Sequence, residues 1–259
     1  MDRVAAVPLA ELLDERRYLL DVACWMLGST GAAEGVVDET YRRWYGLPDA
    51  ARGRIEVPRS WLAKTAGGIC LGRLTGPGRV DDTDGAAGPA DRLRTAERPA
   101  ATLLVDRARH GVRVARPHPV TAYQHDVLAR AVREACAAQD GELLASLLAP
   151  DATALFDGGG KVRALAGPVH GCRQVAASLL TLLALRPRTT LTAHSVNGRT
   201  GLVARYDHQV AAVISLAVTD QRITRISIVL NPDKLRLWNH PPSSHGAPER
   251  PSPRSDGRL

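Results

Sequence analysis

The hydrophobic period of this chain changes partway along it, and that change limits the fold more than any other feature. Before residue 75, apolar side chains such as Leu12 and Leu19 recur at helical spacing. From residue 152 onward, short apolar and β-branched runs alternate with turn residues, as strands do. The sequence therefore predicts an all-α N-terminal domain of three or four helices, followed by an α+β domain.

The N-terminal helices have clear start and stop signals. Gly28 can end a first helix, Pro48 follows the end of a second, and Pro58 can start a third. We expect these helices over residues 9–27, 31–45 and 59–74.

The second half predicts helices and strands that together make one α+β domain. Helices are expected over 121–138 and 171–185, with a brief helix between them from residue 141. Asn197-Gly198 and Asp220-Gln221 suit tight turns in an antiparallel sheet. The expected strands cover residues 153–157, 161–171, 189–196, 201–208, 209–218 and 223–230.

Composition indicates where the domains begin and end. Residues 77–100 are rich in Gly, Pro and Asp and read as a flexible linker, whereas the Pro/Ser-rich end reads as disordered. The full division is a helical domain at 1–76, the linker at 77–100, a basic helix at 101–120, the α+β domain at 121–239 and the tail at 240–259.

Cysteine usage and hydropathy indicate a reduced, cytoplasmic protein. The four cysteines are widely spaced in apolar contexts, unlike a zinc site or a disulfide framework. The chain has no run of about 18 apolar residues, and its first residues do not resemble a secretory signal. We therefore expect no metal, no cofactor and no membrane contact.

The net charge of +7 permits nucleic-acid binding without locating it. Residues 1–80 contain 11 basic and 10 acidic side chains, so the excess of positive charge lies downstream of the helical domain. The basic balance is weak support for DNA contact by the helices.

Two segments of the helical domain, 28–44 and 58–74, resemble the promoter-melting region of extracytoplasmic-function (ECF) sigma factors. The resemblance implies that the helix over 31–45 docks on the clamp helices of the RNA polymerase β′ subunit. The implied contacts are Glu34, Val37, Asp38, Glu39 and Trp44. It also implies promoter DNA contact by the next helix, through Arg59, Trp61, Lys64 and Arg73.

Two short motifs resemble the C-terminal extension of one group of these factors, a SnoaL-like or ketosteroid-isomerase-like cone. They are Asp157-Gly158-Gly159-Gly160-Lys161 and Asn231-Pro232-Asp233-Lys234, followed by Leu235. The resemblance implies that the first motif packs toward the sigma domain and tunes its activity. Asp157 and Lys161 could pair with each other or with Asp233 and Lys234, and a plain hairpin turn is the alternative.

The chain also departs from the family. ECF sigma factors have a helix-turn-helix domain that reads the −35 element, and here a linker and a basic segment at 101–116 stand in its place. Acidic positions usual in the docking helix are Ala32 and Gly35. Charged positions usual in the promoter helix are Gly68, Gly72 and Thr75, which removes charge-assisted contacts and weakens the helix.

The leading hypothesis is a truncated, sigma-like transcription regulator with degenerate promoter contacts and a C-terminal control domain. A variant of it sequesters polymerase without starting transcription. The rival hypothesis is an enzyme of small-molecule biosynthesis, with a ligand in the cone. Its candidate acid–base groups are Asp157, His170, His194, Tyr206, Asp207 and His208.

Overall fold

The computed structural model describes residues 6–75, 121–184 and 188–239. The predicted linker, the basic helix at 101–120 and the tail at 240–259 lie outside the described residues. No helix in the described residues is long and apolar enough to cross a membrane.

The helical domain contains the three predicted helices and one more. The helices are α1 (Leu9–Leu27), α2 (Thr30–Gly46), α3 (Asp49–Arg52) and α4 (Pro58–Thr75). Gly28 ends α1 with a left-handed φ of 68°, and Ser29 caps α2 by accepting from the Ala32 N–H. The single turn of α3 was not predicted, because four residues carry no helical period.

The C-terminal domain combines four helices with one six-stranded sheet. Its helices are α5 (Ala122–Ala138), α6 (Gly141–Leu147), α7 (Cys172–Leu182) and α8 (Pro232–Asn239). Its strands are β1 (Leu148–Asp157), β2 (Val169–His170), β3 (Thr189–Val196), β4 (Arg199–Tyr206), β5 (Gln209–Thr219) and β6 (Arg222–Val229). An all-α domain followed by an α+β domain is the predicted fold class, which is confirmed.

The strand order is β2-β1-β6-β5-β4-β3, and one pairing corrects the sequence analysis. Neighbouring strands run antiparallel except β1 and β6, which pair in parallel, so the sheet is mixed rather than antiparallel. The predicted turns are confirmed, with positive φ at Asn197-Gly198 and Asp220-Gln221. A third turn at Asp207-His208 ends β4 two residues earlier than predicted.

The predicted strand over 161–171 is wrong for most of its length. Only Val169–His170 forms a strand, and the residues before it form an irregular loop. The cause is tertiary, because the Tyr45 hydroxyl of α2 donates to the carbonyls of Val162 (2.7 Å) and Ala164 (3.1 Å). We call residues 157–166 the glycine loop.

Both faces of the sheet are covered by helices. One face packs its apolar residues, such as Leu202 and Ile214, against Val132 of α5 and Leu179 of α7. The opposite face forms a smaller cluster in which Leu235 of α8 packs on Val203 and Val213.

Helix α1 is shared between the two apolar cores. Leu9 and Leu12, near its start, belong to the core of the sheet domain. Leu19 and Ala23, two turns later, belong to the core of the helical domain. The first helix therefore holds the two domains together, in addition to starting the helical one.

Candidate functional site

The candidate site is the contact between α2 and the glycine loop. Lys161 of the loop lies between two carboxylates, with its Nζ 2.9 Å from Asp38 of α2 and 2.8 Å from Asp233 of α8. The hydrogen bonds from these partners, Asp233 first and then Asp38, raise the pKa of Lys161. One ammonium thus joins the helical domain, the first motif and the second motif.

A buried polar cluster supports this contact from α1. Glu15 is 2% exposed and receives hydrogen bonds from the Tyr41 hydroxyl (3.3 Å) and the Arg163 guanidinium (3.2 Å). Arg16 donates to the Lys161 carbonyl oxygen over 3.0 Å. Burial, reinforced by the Glu15 carboxylate, raises the pKa of Tyr41 far above its usual range, so Tyr41 stays a neutral donor.

The two motifs fit together through one glycine. A Cβ on Gly159 would lie 2.1 Å from Asn231 Nδ2, a distance that no real Cβ tolerates. Gly159 also has a φ of +59°, and its N–H donates to Asp157 Oδ1 over 3.1 Å. Asp157 Oδ2 accepts from Lys234 Nζ at 2.6 Å, which ties the motifs a second time. Asp157 and Lys161 thus pair with the second motif rather than with each other.

The residues implied for polymerase docking divide into two sets. Glu34 is exposed, and Glu39 accepts from Arg42 and Arg43 at the surface. Val37 and Trp44 are buried in the helical core, because they lie on the face of α2 that packs against α1 and α4. Their side chains leave no surface for a partner.

The residues implied for promoter contact lie mainly at the surface of α4. Arg59 and Lys64 are exposed, and the Arg59 guanidinium stacks 5.0 Å from the Tyr18 ring centroid. Trp61 is half-buried and packs edge-on against Trp44, with 5.4 Å between the ring centroids. Arg73 donates to the Ala32 carbonyl across the helical domain. A Cβ on Gly68 or Gly72 would meet nothing within 4 Å, so packing does not explain these glycines.

The catalytic candidates lie at separate places in the α+β domain. Asp157 pairs with Lys234, and the exposed His194 packs edge-on against Trp238 on the α8 side of the sheet. His170 contacts Thr153 on the outer strand pair, and His208 is exposed in a turn. The geometry gives no acid–base constellation to these residues.

Tyr206 and Asp207 connect α1 to the sheet instead. The Tyr206 hydroxyl lies 2.9 Å from the Asp14 carboxylate, and Asp207 forms ion pairs with Arg17 and Arg188. Partial burial opposes ionisation of Asp207, but the hydrogen bonds from the two arginines outweigh it and lower the pKa of this carboxyl.

All four cysteines fall within the described residues. All four cysteines are free thiols, and Cys70 and Cys136 are buried. Burial raises the pKa of Cys136 to about 12, so its thiol stays protonated. No cluster of metal-ligating side chains occurs in the part of the chain that the structure describes.

Sequence reasoning missed two buried polar residues. Glu15 stands between Leu12 and Leu19 on the apolar face of α1, and a charge at that position was the available signal. His125 of α5 is 2% exposed, and its Nε2 lies 3.0 Å from the Leu216 carbonyl oxygen. Its Nδ1 is buried, and none of the described residues forms a hydrogen bond with it.

The structure thus consists of a helical domain that packs on a cone-like α+β domain, with the glycine loop at the contact. No family model matches the chain. It is 26% identical to the probable ECF RNA polymerase sigma factor SigI of Mycobacterium tuberculosis, in strains CDC 1551 and H37Rv. That match covers 85% of this chain and 92% of the relative. The resemblance to ECF sigma factors predicted from the sequence is confirmed.

Solved structures also resemble the chain. The extracytoplasmic function sigma factor SigJ of Mycobacterium tuberculosis is 22% identical, with a TM-score of 0.39, over 88% of this chain and 98% of that one. A ketosteroid isomerase described as putative, from Kribbella flavida, is 18% identical, with a TM-score of 0.33, over 53% of this chain and 96% of that one.

Proposed function

We propose that the chain is a sigma-factor-like transcription regulator that binds the RNA polymerase core. The observation that carries this proposal is the sequence match to ECF sigma factors over 85% of the chain, across both domains. Because the polymerase is the partner, we also place the protein in the cytoplasm.

The docking surface is the exposed side of α2. Glu34 and Glu39 supply its acidic groups, whereas the burial of Val37 and Trp44 removes them from the contact. Asp38 is held by Lys161 of the glycine loop, so the sheet domain occupies one edge of the same helix. We infer that the C-terminal domain controls docking by engaging Asp38.

Promoter contact is reduced in this proposal. Arg59 and Lys64 are exposed and can approach phosphates, which positions DNA without reading its sequence. Trp61 has one edge against Trp44, so only its remaining face can stack on a melted base.

A pull-down with RNA polymerase core tests docking. Glu34→Lys reverses an exposed charge on α2 and is expected to reduce capture of the full-length protein several-fold. Glu134→Lys makes the same change at an exposed position of α5 and is the matched control. Absence of core binding by the unsubstituted protein, or equal loss in both variants, contradicts the proposal.

A run-off transcription assay separates initiation from sequestration. Promoter opening with the bound core supports a working sigma function. Core binding without any opening, together with inhibition of another sigma factor, identifies the protein as a regulator that withholds polymerase.

A further inference from the structure

A cleft of about 590 Å³ opens between α2 and the glycine loop. Asp38, Arg42 and Tyr45 line it from the helical domain, and Phe156 of β1 and most of the glycine loop line it from the sheet domain. Its volume is within the range of small-molecule sites, about 300–1,000 Å³. Such a molecule would touch both domains at once.

Most charged groups of the cleft already have partners. Lys161 is shared by Asp38 and Asp233, and Asp157 accepts from Lys234 and from the Gly159 N–H. Lys161 and Asp157 complete the contact between the domains, so they are not the groups that a ligand would satisfy. Asp38 Oδ1 is buried and has no hydrogen bond within the described residues, but as a carboxylate oxygen it cannot bind an anion.

Arg42 is satisfied only in part. Glu39 is the carboxylate partner of both Arg42 and Arg43, so one negative charge faces two guanidinium groups. The Arg42 side chain is 73% exposed and uses one terminal nitrogen for Glu39. Within the described residues no second partner holds Arg42, so its other N–H groups can bind a planar anion such as a carboxylate.

Apolar side chains line the same cleft. Phe156 and Leu165 are half-buried and Ala166 is exposed, and the Tyr45 ring lies on the α2 side. The Tyr45 hydroxyl is occupied by the Val162 and Ala164 carbonyls, and the Arg52 guanidinium lies 5.8 Å from the centroid of its ring. The part of the ring turned away from Arg52 is what a ligand could contact. These side chains suit a flat hydrocarbon or aromatic body.

We propose that the cleft binds a small aromatic carboxylic acid, with its carboxylate on Arg42 and its ring between Tyr45 and Phe156. Binding bridges α2 and the glycine loop and therefore stabilises their contact. The evidence for this site is the cleft and its charges, so the proposal does not depend on polymerase docking.

Calorimetric titration of the full-length protein with indole-3-acetate tests the site. Tryptamine has the same ring with a cationic amine, and we expect it not to bind. Arg42→Gln keeps a long polar side chain without the charge, and is expected to weaken indole-3-acetate binding about tenfold or more. Arg43→Gln is the matched control, because Arg43 shares Glu39 but does not line the cleft.

A filling substitution locates the binding. Ala166→Trp places a large side chain in the cleft at an exposed position and is expected to abolish binding of indole-3-acetate. Ala137→Trp, at an exposed position of α5, is expected to leave binding unchanged.

Four outcomes overturn the proposal. They are no binding of indole-3-acetate at about 10 mM, tryptamine binding of equal strength, equal losses in Arg42→Gln and Arg43→Gln, and unchanged binding in Ala166→Trp. The third outcome would show general anion attraction to α2. Polymerase capture plays no part in these measurements, so failure here leaves the docking proposal standing.

Discussion

Glu15 is a buried carboxylate whose charge is balanced by a residue far away in the sequence. Its side chain is 3% exposed, that of Arg163 is 17% exposed, and the two form an ion pair of 3.1 Å. A buried pair of this kind does not add much stability over an apolar pair, but each partner depends strongly on the other.

Arg163→Met is expected to lower the free energy of unfolding by about 3 kcal/mol, because it leaves Glu15 charged and buried without its cation. The double variant with Glu15→Met is expected to lose less than Arg163→Met alone. Urea unfolding of both variants measures the difference. A double variant as unstable as the sum of the two single substitutions would contradict the buried-pair explanation.

The ion pair between Lys161 and Asp233 predicts that the stability of the protein depends on pH. The hydrogen bond from Lys161, stronger than the opposing effect of partial burial, lowers the pKa of Asp233. In the folded protein the pKa of Asp233 lies below its unfolded value of about 3.9. The stability that this carboxylate contributes is therefore fully present when the pH is above the unfolded value. It is lost as the pH falls through the folded pKa.

Thermal unfolding at pH 6 and pH 3 tests this dependence. Asp233→Asn is expected to lose stability at pH 6 and to show a smaller decrease between the two pH values than the unsubstituted protein. Glu134→Gln, an exposed carboxyl distant from the motifs, is the control. Equal decreases in all three proteins would exclude Asp233 as a source of the dependence.

At the scale of elements, two adjacent glycines of the glycine loop differ in how much space surrounds them. Both have positive φ, +59° at Gly159 and +66° at Gly160. A Cβ on Gly159 would collide with Asn231, whereas one on Gly160 would meet nothing within 4 Å. Backbone strain is thus common to both positions, and steric exclusion applies to Gly159 alone.

Gly160→Ala is expected to cost about 1 kcal/mol of unfolding free energy, the ordinary cost of a left-handed alanine. Gly159→Ala is expected to cost clearly more, because Asn231 must move and weaken its Asx-type bond to the Asp233 N–H. Denaturant unfolding compares the two. Equal costs would show that the motifs are not held together at this point.

Periodicity predicted the long elements because their packing follows local pattern. Helices α1, α2 and α4 and strands β3 to β6 lie within a few residues of their expected positions. The parallel β1–β6 pair and the irregular loop at 161–168 were not predictable, because both depend on distant partners such as Tyr45. For the site, the two motifs identified Lys161 and Asp233, but Glu15 and Arg163 needed the folded arrangement.

At the scale of the whole molecule, α1 makes the two domains interdependent. Leu12 is buried in one core and Leu19 in the other, on one continuous helix. Loss of α1 as a whole would therefore expose apolar surface in both domains.

We expect the protein to unfold in a single transition. Trp25, Trp44 and Trp61 lie in the helical domain, so tryptophan fluorescence reports mainly on that domain, whereas circular dichroism reports on all elements. The two signals are expected to give the same midpoint in urea. Two separated midpoints would show that α1 does not couple the domains.

The shared helix also limits how such a protein can be recombined. A chimera that joins this helical domain to another C-terminal domain would normally be designed by cutting within the linker between them. Here such a cut leaves Leu9 and Leu12 facing a foreign surface. A replacement domain must therefore offer an apolar recess for the start of α1 and an arginine for Glu15, whatever the length of the linker.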